Sequence, residues 1–308
     1  MLKFKADLRS VFFLFLATGL LVFLWMRGAE MSWPLWIIVY LAQLQMAVSV
    51  SVMVHNHQHL GMWKNKWLNT FTDNWLTVLY GFPVFAWIPT HNTNHHVHIN
   101  KEKDYTKTYL FSESNNLWTV LTYPTRSGIL QQKAVTKYFI GLWKKDRRKF
   151  LFHTLQIFSL VVWTATALIV DWRKGLLYVV APQQLALFVV IFFNYIQHVH
   201  ADEETKYNNS RNFTGPILNW LLLNNGYHTA HHISPGIHWS KLKEKHEKIN
   251  PLIHPSLNES NFNWYVFRIY ILSLFLPRYK SKSMRLARKE NQPYVKETPK
   301  ETKILTEA

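Results

Sequence analysis

Sixteen histidines and no cysteine make imidazole the outstanding chemical resource of this 308-residue chain. Twelve of the sixteen fall in four short groups. His55, His57 and His59 form the first. His91, His95, His96 and His98 form the second, within Thr90-His91-Asn92-Thr93-Asn94-His95-His96-Val97-His98. His198 and His200 follow Asn194-Tyr195-Ile196-Gln197, and His228, His231 and His232 follow Asn225-Gly226-Tyr227. Neutral imidazole is a ligand for iron, zinc, copper and nickel. The missing thiols exclude disulfides, iron–sulfur clusters, rubredoxin-type centres and cysteine nucleophiles.

On a helix, residues three and four apart share a face. That selects His55 with His59, His91 with His95, and His228 with both His231 and His232. His96 lies about 100° round from His95, and His57 about 200° from His55, so His57 points elsewhere. Structural zinc takes roughly four protein ligands and catalytic zinc about three. Eight or nine face-compatible histidines exceed one such site, and two metal ions are the economical reading. His57, His98 and His200 read as neighbours of the site; His153, His238, His246 and His254 read as structural. Asp73, Glu102, Asp104 and Asp202 are candidates to orient a ligand imidazole through its second nitrogen.

Helices ending at a membrane surface would position these groups. Charged residues are 17% of the chain, against about 25% in soluble proteins, while 48% are hydrophobic and 16% aromatic. Such a chain has too much apolar surface to remain disordered. A membrane-crossing helix needs roughly 20 apolar residues, and spans are expected over 9–28, 33–54, 150–170 and 176–196. They form two hairpins with tiny loops. No small-residue cleavage site follows the first span, so it does not read as a signal peptide. Trp75–Pro89 and Trp264–Pro277 are short and interrupted, and read as interfacial or re-entrant. The expected fold is all-α and integral to the membrane, with a helical cytoplasmic cap holding the metals. Residues 1–289 make one domain, and 290–308 are expected to be a mobile polar tail.

The chain carries 35 basic and 18 acidic residues. Only Arg27, Arg173 and Lys174 lie in the hairpin loops. By the positive-inside rule both termini and all four histidine groups are cytoplasmic. The net charge of +17 reads as this bias together with attraction to anionic lipid, and a basic run from Arg278 to Lys289 precedes the polar tail. The charge is spread and no nucleic-acid motif accompanies it, so no nucleic-acid partner is expected.

His55-x-x-x-His59, His91-x-x-x-His95-His96 and His228-x-x-His231-His232, in this order on two hairpins, resemble the three histidine boxes of the membrane fatty-acid desaturase and hydroxylase superfamily. The resemblance extends over roughly Val11 to His254. It implies that these eight histidines ligate two irons, that His198 is a ninth ligand, and that Asn194 reaches a metal through water. It further implies dioxygen as co-substrate, and an acyl-lipid, acyl-CoA or acyl-carrier substrate drawn from the lipid bilayer. Electrons would come from a separate ferredoxin, rubredoxin or cytochrome-type protein, since the chain has no cysteine and no His-Pro-Gly-Gly haem signature. The expected location is a cell membrane of bacterial type.

The expected reaction is desaturation, the introduction of a C=C bond. Thr90–Val97 and Asn194-Tyr195 with His198 also resemble motifs of alkane hydroxylases. Yet Gln197-His198-Val199-His200 resembles the Gln-His-x-His run of acyl-lipid desaturases, and the hydroxylases have six spans where this chain has room for four. A zinc-dependent lipid amidase or a metal-binding receptor is the rival of another class. Three or four histidines would suffice for it, and the excess of matched histidines argues against it. Neither a Gly-x-Ser-x-Gly elbow nor a Gly-x-Gly-x-x-Gly loop supports a hydrolase or nucleotide enzyme.

Overall fold

Long apolar runs become long helices, and the computed structural model, which describes residues 1–290, contains four long enough to cross a membrane. They cover Asp7–Glu30, Trp33–His59, Arg147–Val170 and Trp172–His198, each extending a little past the expected apolar run. Only 11% of the apolar window of Arg147–Val170 is buried inside the protein. Side chains such as Phe158, Val161, Ile169 and Val170 stay exposed, and an apolar surface of that extent needs lipid rather than water against it. The fold is all-α. Among the described residues the only sheet is a parallel pair, β1 (Asn212–Phe213) with β2 (Asn258–Glu259). Apart from Glu290, the polar tail lies outside the described residues.

Contacts divide the chain into two units, residues 1–93 with 127–191 and residues from 94 to 126 with those from 192 onward. In the first, α1 (Asp7–Arg27) and α2 (Trp33–His59) pack along each other and against α3 (Lys66–Tyr80). Polar ties hold α2 to the segment around Tyr178. Gln43 Nε2 donates to the Tyr178 carbonyl at 2.6 Å, and Trp36 Nε1 to the Tyr178 hydroxyl at 2.9 Å. Gly81 ends α3 with φ +83°, and a Cβ there would lie 2.4 Å from Gln183 Cβ, so the left-handed turn and the close approach both require glycine. Helix α2 continues beyond the apolar run, placing His55 and His59 one turn apart on the same rod. The second hairpin loop is shorter than expected. Asp171 caps a new helical turn over Trp172–Lys174, accepting from the Arg173 and Lys174 amides.

The second unit is compact and polar around Phe213, Leu223, Leu257 and Tyr265, all buried. It includes the end of α6 (Ala181–His198) and the short α8 (His228–Ile233); α4 (Leu117–Lys145), α5 (Arg147–Val170) and α7 (Pro216–Leu221) complete the series to that point. Asn212 in β1 sets α8 in place: its Oδ1 accepts from the Thr229 amide at 2.9 Å, and its Nδ2 donates to the Thr229 hydroxyl at 3.0 Å. Just before α8, a Cβ on Gly226 would strike the Phe213 carbonyl at 2.1 Å. The fourth histidine group is thus pinned to β1, through a close approach at Gly226 that tolerates no side chain.

Candidate metal centre

Four imidazoles converge in the second unit. One ring nitrogen from each of His95, His198, His228 and His232 lies within 4.8 Å of the others, and all four residues are buried. The Nε2 atoms of His198, His228 and His232 form a closed triangle, with sides of 3.0, 3.0 and 3.1 Å. Helical spacing explains the pair from α8, since His228 and His232 stand four apart on one face. His231 leaves that face, and its Nε2 lies 2.9 Å from His96 Nε2.

Two of these rings have partners on their far side. His198 Nδ1 lies 2.9 Å from the Asn209 carbonyl, which only accepts, so Nδ1 holds the proton and Nε2 turns a lone pair inward. His95 Nδ1 lies 2.7 Å from Asp104 Oδ2 and 3.0 Å from the Thr106 hydroxyl. Thr106 donates to the other Asp104 oxygen from both its hydroxyl and its amide, each at 2.7 Å. Burial opposes ionisation of Asp104, but His95 and these Thr106 bonds outweigh it and hold the carboxyl well below its usual range. His95 therefore donates from Nδ1 toward Asp104. Burial first, then the imidazoles of His228, His96, His198 and His95, push His232 well below its ordinary value. Ring nitrogens at such separations either share protons or surround a cation. The donor set of four imidazoles, two of them with an outer carboxylate or carbonyl partner, fits a first-row divalent metal.

In the first unit His55, His59 and His91 form a second set. Ring centroids are 4.8 Å apart for His55 and His59, 4.7 Å for His55 and His91, and 5.2 Å for His59 and His91. Trp87 packs against both His55 and His91. One nitrogen from each of the three lies within 4.8 Å of the others.

The expected face-sharing of His91 with His95 does not hold. Ile88–His95 is a π-helical segment, and the two rings go to different groups. His91 accordingly joins His55 and His59, while His95 joins His198, His228 and His232. Nor do His231 and His232 both share His228's group. The other residues sort as follows. His57 turns away from His55: its Nδ1 accepts from the Met62 amide at 3.2 Å. His153 stacks on Phe85, His238 and His254 meet Ser240 and Ser256, and His246 packs on Tyr227. Of the four candidate acids, Asp104 meets a clustered histidine. Glu102 pairs with Lys107, Asp202 with Arg288, and Asp73 accepts from Gln58. Asn194 sits one turn before His198 on α6, its amide nitrogen buried and without a hydrogen-bond partner among the described residues. Thr106 and the Asn209 carbonyl carried no signal in the sequence, because a threonine and a backbone oxygen are ordinary until the fold sets them beside an imidazole.

The model of the Fatty acid desaturase family matches residues 31–264, which is most of the chain. This chain is a member of the fatty acid desaturase family. No curated protein and no solved structure matches it. Desaturase family membership brings with it oxidoreductase chemistry of the desaturase or hydroxylase type, and the four apolar helices make the protein one built for the lipid bilayer. The match covers all nine histidines of the two sets and of the His96–His231 pair.

Proposed function

We propose that this desaturase family member introduces a C=C bond into a lipid acyl chain, using dioxygen and electrons from a separate donor protein. Nine histidines, at positions 55, 59, 91, 95, 96, 198, 228, 231 and 232, hold two iron ions in this reading. His95, His198, His228 and His232 take one of them, and Asn194 contributes through water. The observation that carries it is the convergence of those four buried imidazoles, two of them oriented from behind by Asp104 and the Asn209 carbonyl. Ferrous iron supplies what the side chains lack, the ability to reduce dioxygen to an oxidant that breaks an unactivated C–H bond.

The chain's own part is orientation, retention and exclusion of water. The Asp104 and Asn209 contacts fix the tautomers of His95 and His198, which keeps donor lone pairs inward without a search over ring flips. Relative exposures of 1%, 0%, 3% and 7% for His95, His198, His228 and His232 keep bulk water from quenching the oxidant. The substrate, an acyl-lipid, acyl-CoA or acyl-carrier thioester, enters from the hydrocarbon layer. The electron donor, of ferredoxin, rubredoxin or cytochrome type, docks on the basic cytoplasmic side.

The test separates desaturation from the hydroxylation suggested by the Thr90–Val97 run. Cells expressing the protein are fed a deuterated saturated fatty acid, and the products are weighed by mass spectrometry. Loss of two hydrogen isotopes with no oxygen gained supports desaturation. Gain of one atom from labelled dioxygen assigns hydroxylation instead.

A further inference from the structure

Residues 281–288 lie beyond the stretch shared with the family, and two of their cations, Arg285 and Arg288, pair with acids of the fold. Arg285 is 8% exposed. Its guanidinium carbon sits 3.5 Å from the centre of the Tyr109 ring, its Nε donates to Glu203 Oε1 at 3.0 Å, and its Nη1 pairs with Glu113. Arg288 donates from Nε to Asp202 Oδ1 at 2.7 Å and from Nη2 to Glu203 Oε1 at 3.1 Å. Just upstream, the Met284 amide donates to the His200 carbonyl at 3.1 Å. The Ser281 hydroxyl lies 2.8 Å from His200 Nδ1 and accepts from Asn115 Nδ2 at 2.8 Å.

These partners come from two places only. Tyr109, Glu113 and Asn115 lie on the loop that follows His95 and His96. His200, Asp202 and Glu203 form the turn that follows His198. We propose that the helix Met284–Lys289 is a clamp joining these two ligand-bearing segments, with Arg285 as its central positioning residue. The proposal rests on reading His95 and His198 as metal ligands.

The turn has need of a clamp. His200 is held at φ +61°, a conformation that a non-glycine residue keeps only when its surroundings impose it. Asp202 and Glu203 are adjacent buried acids, 0% and 7% exposed, whose like charges are tolerable together only beside the two arginines. The Asp202 amide donates to the Asn208 carbonyl at 2.8 Å, and the next residue is Asn209, the acceptor for His198 Nδ1. Releasing Asp202 and Glu203 therefore loosens the group that fixes His198's tautomer.

The full-length protein in detergent, stripped of metal and titrated with Co²⁺, tests this. Arg285→Gln is expected to weaken Co²⁺ binding about 10- to 100-fold, the range for loss of an outer partner of a ligand. It should also change the cobalt d–d absorption and speed amide exchange over 199–210. Arg285→Lys keeps the charge but not the forked donor set, and should recover part of the affinity. Arg278→Gln, at an exposed position, should match wild type. Arg288→Gln supplies a second arm should Arg285→Gln not fold, and a several-fold loss is expected. Co²⁺ affinity within twofold of wild type, with an unchanged spectrum, in whichever of the two glutamine variants folds would overturn the clamp. A wild-type protein that takes up no Co²⁺ at all would instead remove the metal-ligand reading, and the clamp with it.

Discussion

His95 Nδ1 stands 2.7 Å from Asp104 Oδ2, and the carboxylate side chain has no exposed surface. A buried acid at that distance fixes which nitrogen of the ring carries the proton. Asp104→Asn removes the charge while keeping a similar shape. It is expected to lower metal affinity by about 10- to 100-fold and turnover with it. Thr106→Val, which removes one hydroxyl from the same acid, should cost several-fold less. Chelator competition followed by acyl-chain turnover checks both, and equal affinities for Asp104→Asn and wild type would contradict the assignment.

Elemental analysis of gently purified protein should find iron approaching two per chain. His232→Ala should abolish turnover and lower that ratio. His57→Ala should keep the iron and much of the activity, because His57 accepts from the Met62 amide rather than joining the clustered rings. His57 and His232 variants that lose iron alike would refute the sorting of the first box. A chain carrying one zinc and negligible iron after anaerobic reconstitution would refute the di-iron reading itself.

Both hairpin loops are expected outside the cell and the histidine groups within. The cysteine-free chain allows single cysteines to report this with an impermeant thiol reagent. Glycines in the loops are poor sites, since a Cβ on Gly28 would lie 2.5 Å from the Tyr178 hydroxyl. Glu30→Cys and Arg173→Cys, both at exposed positions, should label from outside, and Lys103→Cys and Lys243→Cys only after lysis. Outside labelling at Lys103 would invert the topology.

Asp73 offers a pH test. Burial raises its carboxyl to about 7, against a smaller opposing effect of the hydrogen bond from Gln58, and its side chain is 24% exposed. The folded state therefore holds this proton where the unfolded state, titrating near 3.8, has released it. Its contribution to stability is present at low pH and is lost as pH rises through about 7. Asp73→Asn should consequently raise the melting temperature at pH 8 relative to wild type, and less so at pH 5.5. A larger gain at pH 5.5 than at pH 8 would reverse the sign and exclude a protonated acid at this position.

The four spans, the three boxes and their order could be read from the chain because each is a local property. A run of apolar residues partitions into lipid wherever its neighbours are, and His228 and His232 share a face by helical spacing alone. What spacing misjudged was His91 and His95, four apart on one helical segment yet sorted into different groups. Composition counted Arg285 and Arg288 only within the overall charge, and it is the fold that sets them beside Glu203 and Asp202, more than 80 residues away in the chain. Which of four similar acids supports a ligand was undecided for the same reason. Asp104 is nine residues from His95, but the burial that gives their contact its strength comes from the fold around them. Sequence determined which residues have the chemistry and on which helices they ride. Tertiary structure decided which of them meet, since a contact depends on where distant segments pack and on how much water that packing removes.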